Sequence, residues 1–196
     1  MTGLSLDRRA VVARLLQERG DTVVITGLGS PTYDVAAAGD DDRNFYLWGA
    51  MGGAAMVGLG LALARPELPV LVVTGDGEML MGMGSLATIA LQAPPNLVIA
   101  VLDNGLYGET GGQESHTAAG TDLAGVARSC GIADVRVIED MENVGLLAAH
   151  LLDVTAGPRF AVIRIARAEP ERVLPPRDAA VLRARTRAAL GLSPGP

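Results

Sequence analysis

The residues of this chain best suited to chemistry are Asp76 and Asn104, each set at the abrupt end of an apolar run. The segment "PVLVVTGDG" passes straight from aliphatic residues into Gly75-Asp76-Gly77, and "NLVIAVLDNG" passes just as abruptly into Asp103-Asn104-Gly105. A carboxylate beside an amide oxygen is a pair of hard ligands that suits Mg²⁺ or Ca²⁺ rather than zinc. A lone Gly-Asp-Gly says little, because strand ends often carry glycine and aspartate for backbone reasons alone. The two turns matter together only if the fold brings them side by side, and that depends on the elements that carry them.

Runs that are apolar along their whole length predict strands over 22–26, 44–48, 69–74, 96–102, 134–138 and 159–166. Between them, helical spacing predicts helices over 4–20, in the small-residue stretch "GAMGGAAMVGLGLALARP", over 79–92, near 120–130 and over 143–153. Fully apolar strands alternating with helices predict an α/β fold, a three-layer parallel sheet with helices on both faces. A helix of about 14 residues rises roughly 21 Å, and a six-residue strand covers about 20 Å. The crossover after Asp76 therefore returns the chain to the same end of the sheet. Asp76 and Asn104 then emerge together at the carboxyl edge, where open α/β sheets place ligands. The break at Gly27-Leu28-Gly29-Ser30-Pro31 and the Gly49–Gly53 turn follow strands too and belong at that edge. Four glycine-rich loops there form a cradle whose N–H groups can approach phosphate closely. "GLGSP" does not form G-x-G-x-x-G followed by the expected helix, which argues against a generic dinucleotide site.

Composition supports one ordinary domain: 196 residues, 49% apolar and only 19% charged, enough to bury a core. A net charge of −6 argues against nucleic acid or an acidic membrane surface as partner. The single cysteine, Cys130, excludes an internal disulfide framework, fits a reducing cytoplasm, and reads as a small core residue. No signal peptide is evident, and the most apolar segment, 49–64, is glycine-rich and too short to span a membrane. A soluble, cytoplasmic chain is expected. Residues 1–167 are expected to form the single domain, and 168–196 a proline-rich link to a basic amphipathic helix.

Gly-Asp-Gly followed at this distance by Asp-Asn-Gly resembles the cofactor motif of the thiamine-diphosphate-dependent 2-oxoacid decarboxylase and acetolactate synthase superfamily. The resemblance covers about 20–167 and points to the diphosphate-binding (PP) domain. It implies a thiamine-diphosphate-binding fold with Mg²⁺ held by Asp76, Asn104 and the carbonyl of Leu106. Gly77 and Glu78 would offer backbone N–H groups to phosphate, with Gly75, Gly29, Ser30 and Tyr107 also in the cofactor site. In "YLWGAMGGA", Met51 sits where the family props the cofactor into its bent form, and Gly49 offers a carbonyl to the pyrimidine amino group. Asp103 stands where the family has the first asparagine of a pair.

"LYGETGGQESHT" after the asparagine resembles the sulfopyruvate and phosphonopyruvate decarboxylase branch, although Pro31-Thr32 stand where that branch tends to carry Arg-Glu. The resemblance implies decarboxylation of a small 2-oxoacid to CO₂ and an aldehyde. Glu109 and then His116 are the candidates for proton transfer, and Gly112 and Gln113 for the substrate's distal anion. Residues 105–119 are expected to form a loop that orders around cofactor or substrate. The family's essential glutamate lies on a separate pyrimidine domain, so the expected partner is a second subunit carrying it, with two or more copies of each chain. An acetolactate-synthase-like carboligase subunit, or a non-catalytic assembly subunit, are the alternatives.

Overall fold

The computed structural model describes residues 6–193. Residues 1–5, which include the start of the helix expected over 4–20, and residues 194–196 lie outside the described residues. Helix α1 (Arg8–Leu16) begins where Asp7 caps it, its carboxylate accepting from the Ala10 N–H at 2.8 Å. Strand β1 (Val23–Thr26), α2 (Ser30–Ala37), β2 (Asn44–Tyr46) and α3 (Ala54–Ala64) follow. Next come β3 (Val70–Gly75), α4 (Asp76–Met81), α5 (Ser85–Gln92) and β4 (Leu97–Asp103). A small hairpin, β5 (Leu106–Tyr107) and β6 (Gln113–Glu114), precedes α6 (Leu123–Cys130), β7 (Asp134–Ile138), α7 (Met141–Ala149), β8 (Arg159–Arg164) and α8 (Ala179–Ala189).

Six strands form one parallel sheet in the order β2-β1-β3-β4-β8-β7. Because side chains alternate along a strand, each strand feeds both layers. Leu71, Val73, Val98, Ala100, Ala161 and Ile163 join one apolar cluster with Val11 and Val12 of α1, Val35 of α2 and Leu147 of α7. Val70, Val72, Leu97, Ile99, Phe160 and Val162 join the other with Leu59 of α3, Ile89 of α5 and Ala127 of α6. The expected three-layer arrangement is present, with both faces of the sheet covered.

Three local expectations change. A helix does follow "GLGSP": α2 starts at Ser30 with Pro31 in its first turn, where a missing N–H costs nothing. Gly29 permits the entry by adopting φ +82°. The single helix expected over 79–92 is two, α4 and α5, and the first starts at Asp76 itself. The break falls at Gly82, where an added Cβ would sit 2.3 Å from the Gly52 carbonyl oxygen, so two backbones touch there. Residues 105–119 contain the β5–β6 pairing and a 3₁₀ turn, Gly108–Thr110, rather than an unstructured loop.

The C-terminal segment packs back onto the domain. Leu182 of α8 is 1% exposed within the first apolar cluster, and Arg185 pairs with Asp40 at 2.7 Å while donating to the Asn44 carbonyl at 3.1 Å. Trp48 Nε1 donates to the Pro176 carbonyl at 3.1 Å. The segment thereby covers the β2 edge, which would otherwise present unpaired backbone. Among the described residues no helix is long and apolar enough to cross a membrane. Leu182→Ala should cost about 2–5 kcal/mol of unfolding free energy, as for other buried leucines. Urea denaturation checks this, and an unchanged midpoint would mean that α8 only rests on the surface.

Candidate functional site

From β1 the chain moves to β2 on one side, then returns over α3 to place β3 on the other side of β1. The carboxyl ends of β1 and β3 thus flank a topological switch point, where open α/β sheets leave a crevice. A cleft opens there. Its wall includes Leu28, Ser30 and Pro31 after β1, Met51 before α3, Gly75–Glu78 after β3, and Asn104 with Leu106–Thr110 after β4. The β3–β4 register pairs Gly75 with Leu102, so Asp76 and the Asp103-Asn104 turn leave the sheet side by side.

Asp76 is only 2% exposed and Asp103 3%. The Ser115 hydroxyl donates to Asp76 Oδ2. Thr117 Oγ1 lies 3.1 Å from that same oxygen, 2.8 Å from Asp103 Oδ1 and 2.8 Å from Ser115 Oγ. Two hydroxyl protons therefore serve four contacts. Burial holds the Asp76 carboxyl above its ordinary pKa, and the Asp103 charge adds to the rise while the two hydroxyls oppose it. Asp103 is already committed: it accepts from the Gly105 N–H at 3.0 Å and pairs with Arg164. Asn104 Oδ1 accepts from the Leu106 N–H at 2.9 Å, closing the turn that Gly105 makes at φ +68°.

This arrangement is short of positive charge. A buried carboxylate with too few protons to satisfy it, beside a second buried carboxylate, fits a divalent cation. The available donors, a carboxylate, an amide oxygen and nearby peptide carbonyls, are all hard oxygens, and the set fits Mg²⁺. Gly77, in the first turn of α4, is crossed by the Tyr107 ring: an added Cβ would lie 2.7 Å from Tyr107 Cδ1. Only glycine leaves the backbone open there.

The structure gives the Glu78 side chain a task beyond the backbone N–H expected of it. The side chain is buried, and its Oε2 accepts from Thr74 Oγ1 at 2.9 Å. Burial raises its pKa, while Thr74 and the backbone N–H groups of Ala54, Gly52 and Leu28 favour the ionised form, although Oε1 closes no hydrogen bond of normal geometry. One carboxylate thus sits between the loops after β1, before α3 and after β3. Gly27 makes room for it, since a Cβ there would lie 1.4 Å from Glu78 Oε2. Met51 is carried to the cleft on the turn between Gly49 (φ +80°) and Gly52 (φ +88°), which Glu78 helps to anchor.

Of the residues singled out in the sequence, the cleft gathers Ser30, Met51, Gly75, Asp76, Gly77, Glu78, Asn104, Leu106, Tyr107 and Glu109. Gly29 lies beneath Glu109, an added Cβ falling 2.5 Å from Glu109 Cγ. Gly49, Gly112, Gln113 and His116 do not line the cleft. The β5–β6 hairpin leaves Gly112 and Gln113 exposed, and His116 reaches inward only through its Nδ1, 2.6 Å from Tyr107 Oη. Sequence reasoning missed Ser115 and Thr117. The turn after β6 at residues 116–120 brings both hydroxyls to Asp76, and no local pattern signals it. Sequence reasoning also missed Thr74, and the Arg8 and Asp34 side chains that reach the cleft from α1 and α2.

The family described as "Thiamine pyrophosphate enzyme, C-terminal TPP binding domain" matches residues 32–165. The phosphonopyruvate decarboxylase of Streptomyces viridochromogenes is 43% identical over 159 residues, covering 81% of this chain and 39% of that protein. The sulfopyruvate decarboxylase subunit beta of Methanothermobacter thermautotrophicus is 38% identical over 162 residues, 83% of each chain. This chain therefore spans well under half of the first relative and most of the second. In fold, it is similar to the thiamine diphosphate-dependent 4-hydroxybenzoylformate decarboxylase of Rhodococcus jostii RHA1, with a TM-score of 0.68 at 20% identity, over 87% of this chain and 34% of that one.

Two outcomes follow from the geometry. Asp76 holds its proton more tightly folded than unfolded. Its contribution to stability is therefore complete below the ordinary carboxylate range near pH 4 and is lost as pH rises through the raised folded value. Ligand-free Asp76→Asn should then melt above the wild type at neutral pH, by about 2–4 °C, with the gap closing in acid; scanning calorimetry reads both. Gly27→Ala should expel the Glu78 carboxylate and destabilise the fold by about 1–3 kcal/mol. Denaturant midpoints test it, and wild-type stability would mean Glu78 is not held where described.

Proposed function

Because the chain belongs to the thiamine pyrophosphate enzyme family, of which it carries the C-terminal TPP binding domain, we propose that it is the diphosphate-binding subunit of a two-component thiamine-diphosphate-dependent 2-oxoacid decarboxylase. The observation that carries this reading is the buried Asp76 carboxyl at the switch point, crowded by Asp103 and two shared hydroxyls, with Asn104 beside it. Asp76, Asn104 and the Leu106 carbonyl would hold Mg²⁺, and the backbone N–H groups of Gly77 and Glu78 would bind the diphosphate. Ser30, Gly29, Gly75 and Tyr107 complete that end of the site. Met51, on the opposite loop, would support the cofactor, and the Gly49 carbonyl would serve its pyrimidine amino group.

When bound, the thiazolium of the cofactor accepts the electron pair released as CO₂ leaves a 2-oxoacid. The chain's own residues position and protonate. Glu109, on the cleft wall, is the candidate for delivering a proton to the reacting carbon, and His116, whose Nδ1 lies 2.6 Å from the Tyr107 hydroxyl, is the next. Gly112 and Gln113, exposed on the outer hairpin, remain the candidates for the distal anion of a substrate. The relatives named for sulfopyruvate and phosphonopyruvate support a three-carbon 2-oxoacid bearing a distal oxyanion as substrate. Their division into a beta subunit in one case supports a partner chain that brings the pyrimidine-binding domain and its glutamate. Each site uses both domain types, so the expected assembly contains at least two copies of each chain.

Reconstitution tests the reading. The purified chain should release no CO₂ from such 2-oxoacids alone and should gain activity on mixing with the partner. Asp76→Asn should abolish Mg²⁺-dependent cofactor binding in titration calorimetry on the complex. Full activity of this chain by itself, or undiminished affinity in the variant, would overturn it.

A further inference from the structure

Arg8, the first residue of α1, is only 4% exposed, and it precedes the segment matched by the family. Its Nε lies 3.2 Å from Asp34 Oδ2, without the geometry of a hydrogen bond. Asp34 already has a good partner: Arg9 Nε donates to its Oδ1 at 2.9 Å. Two guanidinium groups therefore surround one buried carboxylate and leave a surplus positive charge. Neither Nη of Arg8 has a protein acceptor among the hydrogen bonds and ion pairs of the described residues. A buried arginine with unused donors is costly unless a ligand supplies the acceptor.

Its position says what that ligand is. Arg8 lines the cleft described above and also an adjoining cavity, with Ser30, Asn104 and Glu109 common to both. Among the described residues it is the single cationic side chain on the wall of the first cleft, against four carboxylates: Asp34, Asp76, Glu78 and Glu109. An anion entering there meets one guanidinium, and a guanidinium's planar fork matches phosphate-like oxygens. On the same wall the start of α2 leaves only the Ser30 N–H to an anion, since Pro31 has none and the Thr32 and Tyr33 N–H groups donate to the Gly29 carbonyl at 3.0 and 3.3 Å.

We propose that Arg8 is an anion-recognition residue of this cleft, taking through its Nη groups an oxyanion of the phosphate, phosphonate or sulfonate class. The proposal rests on the reading of the cleft as a diphosphate site, and it leaves two sources for that chemistry: the cofactor's diphosphate and the distal group of the substrate. Binding to the full chain separates them. Magnesium pyrophosphate is titrated into wild type, Arg8→Gln and Arg8→Lys; phosphonoacetate and sulfoacetate are then titrated into each after saturation with magnesium pyrophosphate.

Arg8→Gln should weaken one of these ligands by about tenfold or more, the loss expected for a charge-assisted contact, and Arg8→Lys should restore part of it. Loss with pyrophosphate assigns Arg8 to the cofactor's phosphates, and loss with the second ligands alone assigns it to the substrate's distal group. If Arg8→Gln does not fold, Arg8→Met combined with Asp34→Asn removes the buried pair together and is titrated in its place. Unchanged affinity for both ligands in a folded variant overturns the proposal, whatever the melting temperature does. Failure of the wild type to bind magnesium pyrophosphate would instead count against the diphosphate site, and Arg8 would then be judged on the second ligands; no binding of either would overturn both.

Discussion

Everything at the carboxyl edge depends on a shortage of protons between two buried carboxylates. Asp76 and Asp103 leave adjacent parallel strands at the same height, and the hydroxyls of Ser115 and Thr117 are wedged between them. Each hydroxyl has more acceptors than protons, and burial penalises the Asp76 charge. Asp103 is relieved by Arg164 and by the Gly105 N–H. Among the described residues Asp76 has no cationic partner, and burial together with the Asp103 charge holds its carboxyl above the ordinary range. Such local conflict is expected where function overrides stability.

A second buried carboxylate organises the loops around the first. Glu78 sits where three glycine-bearing segments converge, with Thr74 on one side and the N–H groups of Leu28, Gly52 and Ala54 on the other. The glycines at 27, 52, 77 and 82 are then explained by close approach: to the Glu78 carboxylate at Gly27, to the Tyr107 ring at Gly77, and of backbone to backbone between Gly52 and Gly82. Met51 inherits its position from this packing, and so its presentation to the cleft depends on a residue that touches it only through the shared turn.

The outer hairpin connects the edge to the solvent. Residues 105–119 begin at the Asn104 turn and end at Ser115 and Thr117, so the segment that carries Tyr107, Glu109 and Gln113 is pinned at both ends to the Asp76 site. The C-terminal segment closes the opposite side, bringing Arg172 over the Tyr33 ring and Arg177 over Trp48 as it crosses toward the β2 edge.

The layered parallel sheet and the pairing of Asp76 with Asn104 were legible in the sequence. Fully apolar strands can be buried only between two helical layers, and a strand-helix-strand unit of these lengths can return only to one edge. The cofactor motif was legible because its chemistry sits in consecutive residues. The α2 helix, the split at Gly82 and the contacts of Ser115, Thr117, Glu78 and Arg8 were not. Each depends on groups far apart in the chain: Thr117 meets Asp76 across 41 positions, and Arg8 meets Asp34 from another helix. Residue types and local periodicity determined which elements form and which loops share an edge. Only tertiary packing decided which buried charges are satisfied there, because that balance depends on distances and proton counts between segments that no local pattern records.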